Sequence, residues 1–175
     1  LLVSGPGVPV GKTVDEIASH IDLFPTIAEA LGAKLSSEDE SLPGRSLWPA
    51  IMGERQDGHH AFAEFHAMGA LNAGFSLREG NHKLIYHVGM PRQLFDVTAD
   101  PLEEHDLLLS APDHPLADAL EAKLRTIVDP EAVDAKAKSD QLAHAEALGG
   151  LEAVRNAGVF SVSPIPGKAA QIEKA

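Results

Sequence analysis

Three rhythms of apolar and polar residues follow one another along the chain. Residues 1–53 open with Leu1-Leu2-Val3 running into Gly5-Pro6-Gly7, an apolar run that reads as a strand entering a turn. Phe24, Ile27, Ala28 and Leu31 then recur at helical spacing, with Asp22 as the N-cap, Pro25 in the first turn and Gly32 as the stop. Ser36 to Glu40 reads as an acidic solvated loop, and a second short helix near Leu47 to Met52 ends at Gly53. From residue 59 to 97 the period falls to two. Ala61-Phe62-Ala63-Glu64-Phe65-His66 and Phe75-Ser76-Leu77-Arg78 alternate, and Glu79-Gly80-Asn81 turns the chain into His82-Lys83-Leu84-Ile85-Tyr86-His87. Gly89-Met90-Pro91 then leads to Gln93-Leu94-Phe95-Asp96-Val97. Four short strands on tight loops predict an antiparallel sheet. Beyond Asp100 the pattern is helical. Leu116, Leu120, Leu124 and Ile127 form one stripe, which Asp129-Pro130 ends, and an Ala-rich helix runs from about Glu131 to Leu148 before Gly149-Gly150. Ser163-Pro164-Ile165-Pro166-Gly167 reads as extended, and residues 168–175 as frayed.

Composition narrows what such a chain does. At 175 residues it is long enough to bury one core. Its formal net charge of −12 argues against nucleic acid, whose phosphates demand a basic footprint. The longest apolar runs, such as Leu107-Leu108-Leu109, are far too short to span a bilayer. Cysteine is absent, which removes disulfides, thiol nucleophiles and zinc sites built on sulfur, but says nothing of compartment. The apolar run at Leu1, with no Met before it, leads to the expectation of a C-terminal fragment.

Single motifs carry little chemistry. Gly11-Lys12-Thr13 invites comparison with a phosphate-binding loop, yet the glycine required upstream falls on Pro6, and Pro6 and Pro9 lack the N–H groups that would cradle a phosphate. His59-His60, adjacent on extended chain, point opposite ways and read as surface histidines rather than ligands. Arg78 and Lys83 flank a hairpin turn and read as solvated charge. Asp96, Asp100, Glu103, Glu104 and Asp106 crowd together without the glycine-centred loop that calcium needs, and Asp100-Pro101 followed by acids reads as a helix start. Glu64 and His66, two residues apart on a strand, share one face and one potential pocket. For that pair a hydrogen-bonded structural role and a substrate contact both stand.

The order of motifs is more specific. Ile21-Asp22-Leu23-Phe24-Pro25-Thr26-Ile27 with Gly32 resembles the "Asp-Leu-x-Pro-Thr … Gly" segment of type I sulfatases, members of the alkaline phosphatase superfamily. Pro43-Gly44-Arg45-Ser46-Leu47 resembles the family's following "Gly-x-Ser-Leu", and Arg78-Glu79-Gly80-Asn81-His82-Lys83-Leu84-Ile85 its "Arg-x-Gly-x-x-Lys-Leu-Ile" hairpin. Gln93-Leu94-Phe95-Asp96 with Asp100-Pro101-Leu102-Glu103 resembles "Leu-Tyr-Asp-Leu … Asp-Pro-x-Glu". Glu64-Phe65-His66-Ala67 is similar to the choline-sulfatase-like branch. Ser41-Leu42-Pro43-Gly44-Arg45 has the Ser-x-Pro-x-Arg form in which that family oxidises a Cys or Ser to formylglycine, but the residues beyond Arg45 do not continue as the family's do, and a turn opening the next helix is the better reading.

The resemblance implies an α/β fold of the alkaline-phosphatase type. Residues 1–58 would form the C-terminal end of the large mixed-sheet domain, and residues 59–128 a small subdomain of four antiparallel strands with packed helices. Residues 129–175 would form a helical and extended tail. It further implies hydrolysis of a small-molecule sulfate ester, with the formylglycine nucleophile, Ca²⁺ and the Ca²⁺ ligands all outside this chain, so that no catalytic or metal-ligating residue is expected within it and the fragment alone should be inactive. Glu64 and His66 are the expected substrate contacts, and the tail is a candidate for packing on another subunit. A phosphonate or phosphate monoester hydrolase of the same superfamily, or a non-catalytic binding module derived from the fold, are the alternatives.

Overall fold

A computed structural model describes residues 1–54, 58–66, 70–156, 159–160 and 172–173. The chain divides into two compact units, Leu1–Val128 and Asp129–Ala175. The centre of the first is an antiparallel meander of four strands, β1 (His60–Phe65), β2 (Gly74–Glu79), β3 (His82–His87) and β4 (Gln93–Asp96), in sequence order. The period-two pattern sets the register. Phe62, Leu77, Leu84 and Leu94 lie opposite one another across the four strands and so share a face. Leu77, Leu84 and Leu94 are wholly buried, and Phe75 nearly so. β2 and β3 are joined by the two residues Gly80-Asn81, with Gly80 at φ 55°, the left-handed conformation that a two-residue hairpin loop requires.

α3 (Pro115–Ile127) packs on β2 and β3. His114 caps it by accepting the Leu116 N–H, Pro115 occupies the first position, and Ala117, Leu120 and Leu124 are its buried stripe. Ile127, expected to extend the stripe, is 41% exposed at the last turn. Polar ties flank the apolar contact: Lys123 Nζ donates to Glu79 at 2.6 Å, and Arg125 donates to the Tyr86 hydroxyl at 2.9 Å. Arg92 joins the β3–β4 connection to the same helix through Asp118 and Glu121.

After β4 the acidic residues make turns rather than a helix. Asp96 accepts the N–H groups of Thr98 and Ala99, Asp100 that of His105, and Asp106 those of Leu94 and Leu108. Glu103 adopts φ 57°, and both its carboxylate oxygens accept from Lys83 at 2.8 Å. Lys83 therefore pins this turn instead of being merely solvated, and the helix expected at Asp100-Pro101 does not form: Asp96 and Asp100 hold the backbone in turns instead. A short 3-10 turn at Leu107–Leu109 follows.

In the N-terminal layer the structure contains α1 (Leu23–Ala30) and α2 (Trp48–Met52), the latter ended by Gly53 at φ 112°. Lys12, the residue of the false phosphate-loop pattern, donates to the carbonyls of Ala50 and Ile51 and so caps the C-terminal end of α2. One expectation fails here. Leu1-Leu2-Val3 is not a strand: no described strand lies beside it, and an unpaired strand has no ladder to hold it. The apolar stripe of α1 is not buried within the chain, since Phe24, Ile27 and Leu31 face outward and only Thr26 and Ala28 of the helix are buried.

The second unit holds α4 (Pro130–Ala147), capped by Asp129 accepting the Ala132 N–H, and α5 (Leu151–Asn156) beyond Gly149-Gly150. β5 (Val159–Phe160) and β6 (Ile172–Glu173) pair antiparallel, so part of the end expected to fray forms a strand. The Ser163–Gly167 segment lies outside the described residues.

Candidate functional site

The two ends of the four-stranded sheet carry different chemistry. At the hairpin end, a buried carboxylate organises the N-terminal layer. Asp22 is fully buried, and its oxygens accept from Ser19 N–H at 2.7 Å, Arg45 N–H at 3.0 Å and His59 Nε2 at 2.8 Å. Burial pushes the Asp22 carboxyl up, but the bonds from Arg45, His59 and Ser19 outweigh it and hold the group below the usual carboxylate range. Four residues on, the Thr26 hydroxyl donates to the Asp22 carbonyl at 2.6 Å and accepts the Leu47 N–H at 2.8 Å. Gly44 sits so close that an added Cβ would collide with the Ile21 carbonyl oxygen. Asp22, Thr26 and Gly44 thus tie α1 to the segment entering α2, which gives the Asp-Leu-x-Pro-Thr and Gly-x-Ser-Leu motifs one shared structural role.

Two sequence readings need correction at this knot. Asp22 does not cap α1 with its side chain, because that side chain is already shared among Ser19, Arg45 and His59. His59 is not a surface histidine: its side chain is 10% exposed and bonded to a buried carboxylate. The sequence shows only that Asp22 and Thr26 are polar residues inside an otherwise apolar run, not which groups they meet. His60, next along, is held below the usual imidazole range, first by burial and then by the charge of Lys123.

A cleft of about 870 Å³ opens beside the knot, lined among others by Asp15, Glu16, His59, Arg78, Asn81 and Thr98. Its charges are of both signs, and Arg45 lies 3.9 Å from Glu16. Arg78 lines this cleft, so the two cations at the hairpin turn part company: Lys83 is spent on Glu103 and Arg78 faces the cleft.

At the opposite end of the sheet stand the residues singled out from the sequence. Glu64 is the penultimate residue of β1, and His66 follows its last residue. The strand brings them together, with His66 Nε2 3.5 Å from Glu64 Oε2, an ion pair when the imidazole is protonated. The His66 ring meets Phe75 edge-on, with centroids 5.5 Å apart. Gly74, opposite Phe65 and His87 in the ladder, is where the His87 ring lies, since a Cβ there would come within 2.7 Å of it. A carboxylate that accepts and an imidazole that donates or accepts can hold a polar group in place. Ala67, next in the resemblance, lies outside the described residues.

No group of three His, Asp or Glu side chains among the described residues converges to hold a metal ion. Asp96, Asp100 and Asp106 accept backbone N–H groups of the turns after β4, and Asp22 does the same in the knot. Ser41 sits in a 3-10 turn with its hydroxyl on the Glu38 carbonyl at 2.7 Å, in keeping with a structural turn. No helix among the described residues is long and apolar enough to cross a membrane.

Comparison with known proteins places this geometry. No family model matches the chain. Steryl-sulfatase of Rattus norvegicus is 32% identical over 61% of this chain and 23% of its own length. Choline-sulfatase of Rhizobium meliloti (strain 1021) is 35% identical over 59% of this chain and 20% of its own length. A solved structure in complex with its substrate D-glucosamine-2-N,6-O-disulfate superposes over 61% of this chain and 23% of that one with a TM-score of 0.51, at 21% identity, a likeness of fold. The four-stranded meander with its packed helices is therefore part of an α/β fold of the alkaline-phosphatase-like class. Within that class the chain's sequence relatives are sulfatases, and it spans less than a quarter of the length of those described above.

Proposed function

We propose that this chain is the C-terminal segment of a sulfatase, an enzyme that hydrolyses sulfate esters, and that its catalytic centre belongs to the part outside these 175 residues. The observation that carries the reading is the 35% identity to choline-sulfatase and 32% to steryl-sulfatase over a segment with an alkaline-phosphatase-like fold. The formylglycine nucleophile and Ca²⁺ implied by the resemblance would be supplied by that other part; among the described residues no group of three His, Asp or Glu side chains could hold a metal ion. In this division residues 1–58 are the C-terminal end of the large domain, residues 59–128 form the small subdomain, and residues 129–175 are a helical and extended tail available for contact with another subunit.

Within the small subdomain we assign Glu64 and His66 to the alcohol side of a sulfate ester. The proximity of a carboxylate and an imidazole at a strand exit supports this, since together they offer an acceptor and a donor to one polar group. The two relatives named above differ in the alcohol their names specify, a quaternary ammonium alcohol in one and a sterol in the other, so the alcohol side is where specificity has room to vary.

Expression of the gene's whole product tests the proposal. It should turn over a chromogenic aryl sulfate, and the 175-residue chain should not. In the whole product His66→Ala should change the ratio of kcat/KM between two sulfate esters by about tenfold, the scale of one lost hydrogen bond in a polar site, with little change in Tm. Equal loss on every substrate in step with a fall in Tm would assign the pair to structure alone. Hydrolysis of a phosphonate monoester in preference to any sulfate ester would move the enzyme to the neighbouring hydrolases of the superfamily.

A further inference from the structure

α1 carries its bulk on the side that this chain leaves uncovered. Its buried residues, Thr26 and Ala28, are small, whereas Phe24, Ile27 and Leu31 are 47%, 58% and 77% exposed. At about 100° per residue these three fall within roughly 60° of one another, one continuous apolar stripe, and Ile21 extends it at 47% exposure. Scattered exposed apolar side chains are ordinary; a contiguous stripe of large ones is not. The helix is also held in this orientation rather than lying loose. The Asp22 carboxylate, the Thr26 hydroxyl and the close approach of Gly44 fasten its other side to the segment entering α2, so the stripe is presented by a fixed support.

We propose that this stripe is the seat of the remaining part of the sulfatase fold, an apolar surface of the same polypeptide outside these 175 residues. The inference rests on the sulfatase reading above. Length supports this occupant: the chain corresponds to 23% of steryl-sulfatase and 20% of choline-sulfatase, so most of such a fold lies outside it and must meet it somewhere. Charge argues against a second copy of the chain, because two bodies each carrying −12 repel one another. The stripe itself is uncharged, and Glu29 is the only ionisable residue of α1, so the surface it meets is apolar rather than basic. Asp22 and Thr26 then act as positioning residues, setting the angle at which α1 presents Phe24, Ile27 and Leu31.

The test uses the absence of cysteine from the chain. Ile27→Cys and, separately, Leu102→Cys are placed in the gene's whole product, Leu102 being a control that is 77% exposed in a turn. Each is labelled with N-ethylmaleimide under native conditions and read by peptide mass spectrometry, and the same pair is measured in the 175-residue chain. The expected result is labelling of Ile27→Cys at least about tenfold slower than Leu102→Cys in the whole product, and within a few-fold of it in the 175-residue chain. Radical footprinting of the unsubstituted Phe24 makes the same comparison should Ile27→Cys fail to fold. A whole product that hydrolyses sulfate esters yet labels both positions alike overturns this inference and leaves the sulfatase reading standing. Protection that disappears on dilution assigns the stripe to a second copy and overturns it as well. Protection in a product without sulfatase activity overturns the functional reading, and with it the identity of the occupant.

Discussion

α3 and α1 are both amphipathic in sequence, yet they end in opposite situations. α3 turns Ala117, Leu120 and Leu124 onto β2 and β3 and keeps Asp118, Lys123 and Arg125 at the margin, where each finds a partner. α1 turns Thr26 and Ala28 inward and leaves Phe24, Ile27 and Leu31 outside. The sheet and α3 bury their apolar stripe among themselves, so their fold closes within the chain. The N-terminal layer is held by a polar knot around Asp22 together with buried Ala28, Leu47 and Ala50, while the large apolar residues of α1 face away. One region closes on a core within the chain, and the other presents an exposed apolar face, which we propose the remaining part of the fold covers.

The largest expected effect tests the first half of that contrast. Leu84→Ala removes a wholly buried side chain at the centre of the sheet and should cost about 2–5 kcal/mol in urea unfolding of the chain, whereas Ile27→Ala in the same chain should change stability by less than about 0.5 kcal/mol. Equal costs would mean that α1 is as deeply packed as the sheet.

The knot provides the next test. Gly44→Ala pushes a Cβ against the Ile21 backbone and should cost about 1–3 kcal/mol, more than Gly74→Ala, where the obstructing atoms belong to the His87 side chain and can swing away. Asp22→Asn should cost a similar amount, about 1–3 kcal/mol, since an amide replaces one of two accepting oxygens with a donor. Its pH dependence has a definite sign. Because the folded-state pKa of Asp22 is lowered, its contribution is present above the ordinary value of 3.8 and is lost as pH falls through the folded value. Stability measured from pH 6 down to pH 2 should fall less steeply in Asp22→Asn than in the unsubstituted chain. Parallel curves would remove Asp22 from the account. The smallest effect belongs to Lys83→Met, which breaks a half-exposed ion pair with Glu103 and should cost about 0.2–1 kcal/mol, read as a small shift in the urea midpoint.

How much of this was legible in the sequence varies with the range of the interaction. The four strands and α3 were, because alternation and helical period report which face is buried against a nearby element, and Leu77, Leu84 and Leu120 are buried in keeping with it. The knot was not, because its partners are brought together from separate segments: Asp22 meets Arg45 across 23 positions and His59 across 37, and no periodicity encodes such a meeting. The sequence marks Asp22 as a helix boundary and His59 as a surface histidine, while their bond depends on the tertiary fold. The stripe on α1 was read correctly as apolar, but a sequence pattern marks a face that wants cover without saying what provides it. Glu64 and His66 are legible as neighbours because residues two apart along a strand share a face, which lets their side chains meet at 3.5 Å.

The most direct test of the account is the coding sequence immediately upstream of the Leu1 codon. The account predicts an open frame encoding a Cys- or Ser-x-Pro-x-Arg segment and the aspartates of a metal site, the other part that α1 is shaped to meet. A stop codon followed by a start at this chain would contradict it, leaving the Phe24–Ile27–Leu31 face without the occupant that the account requires.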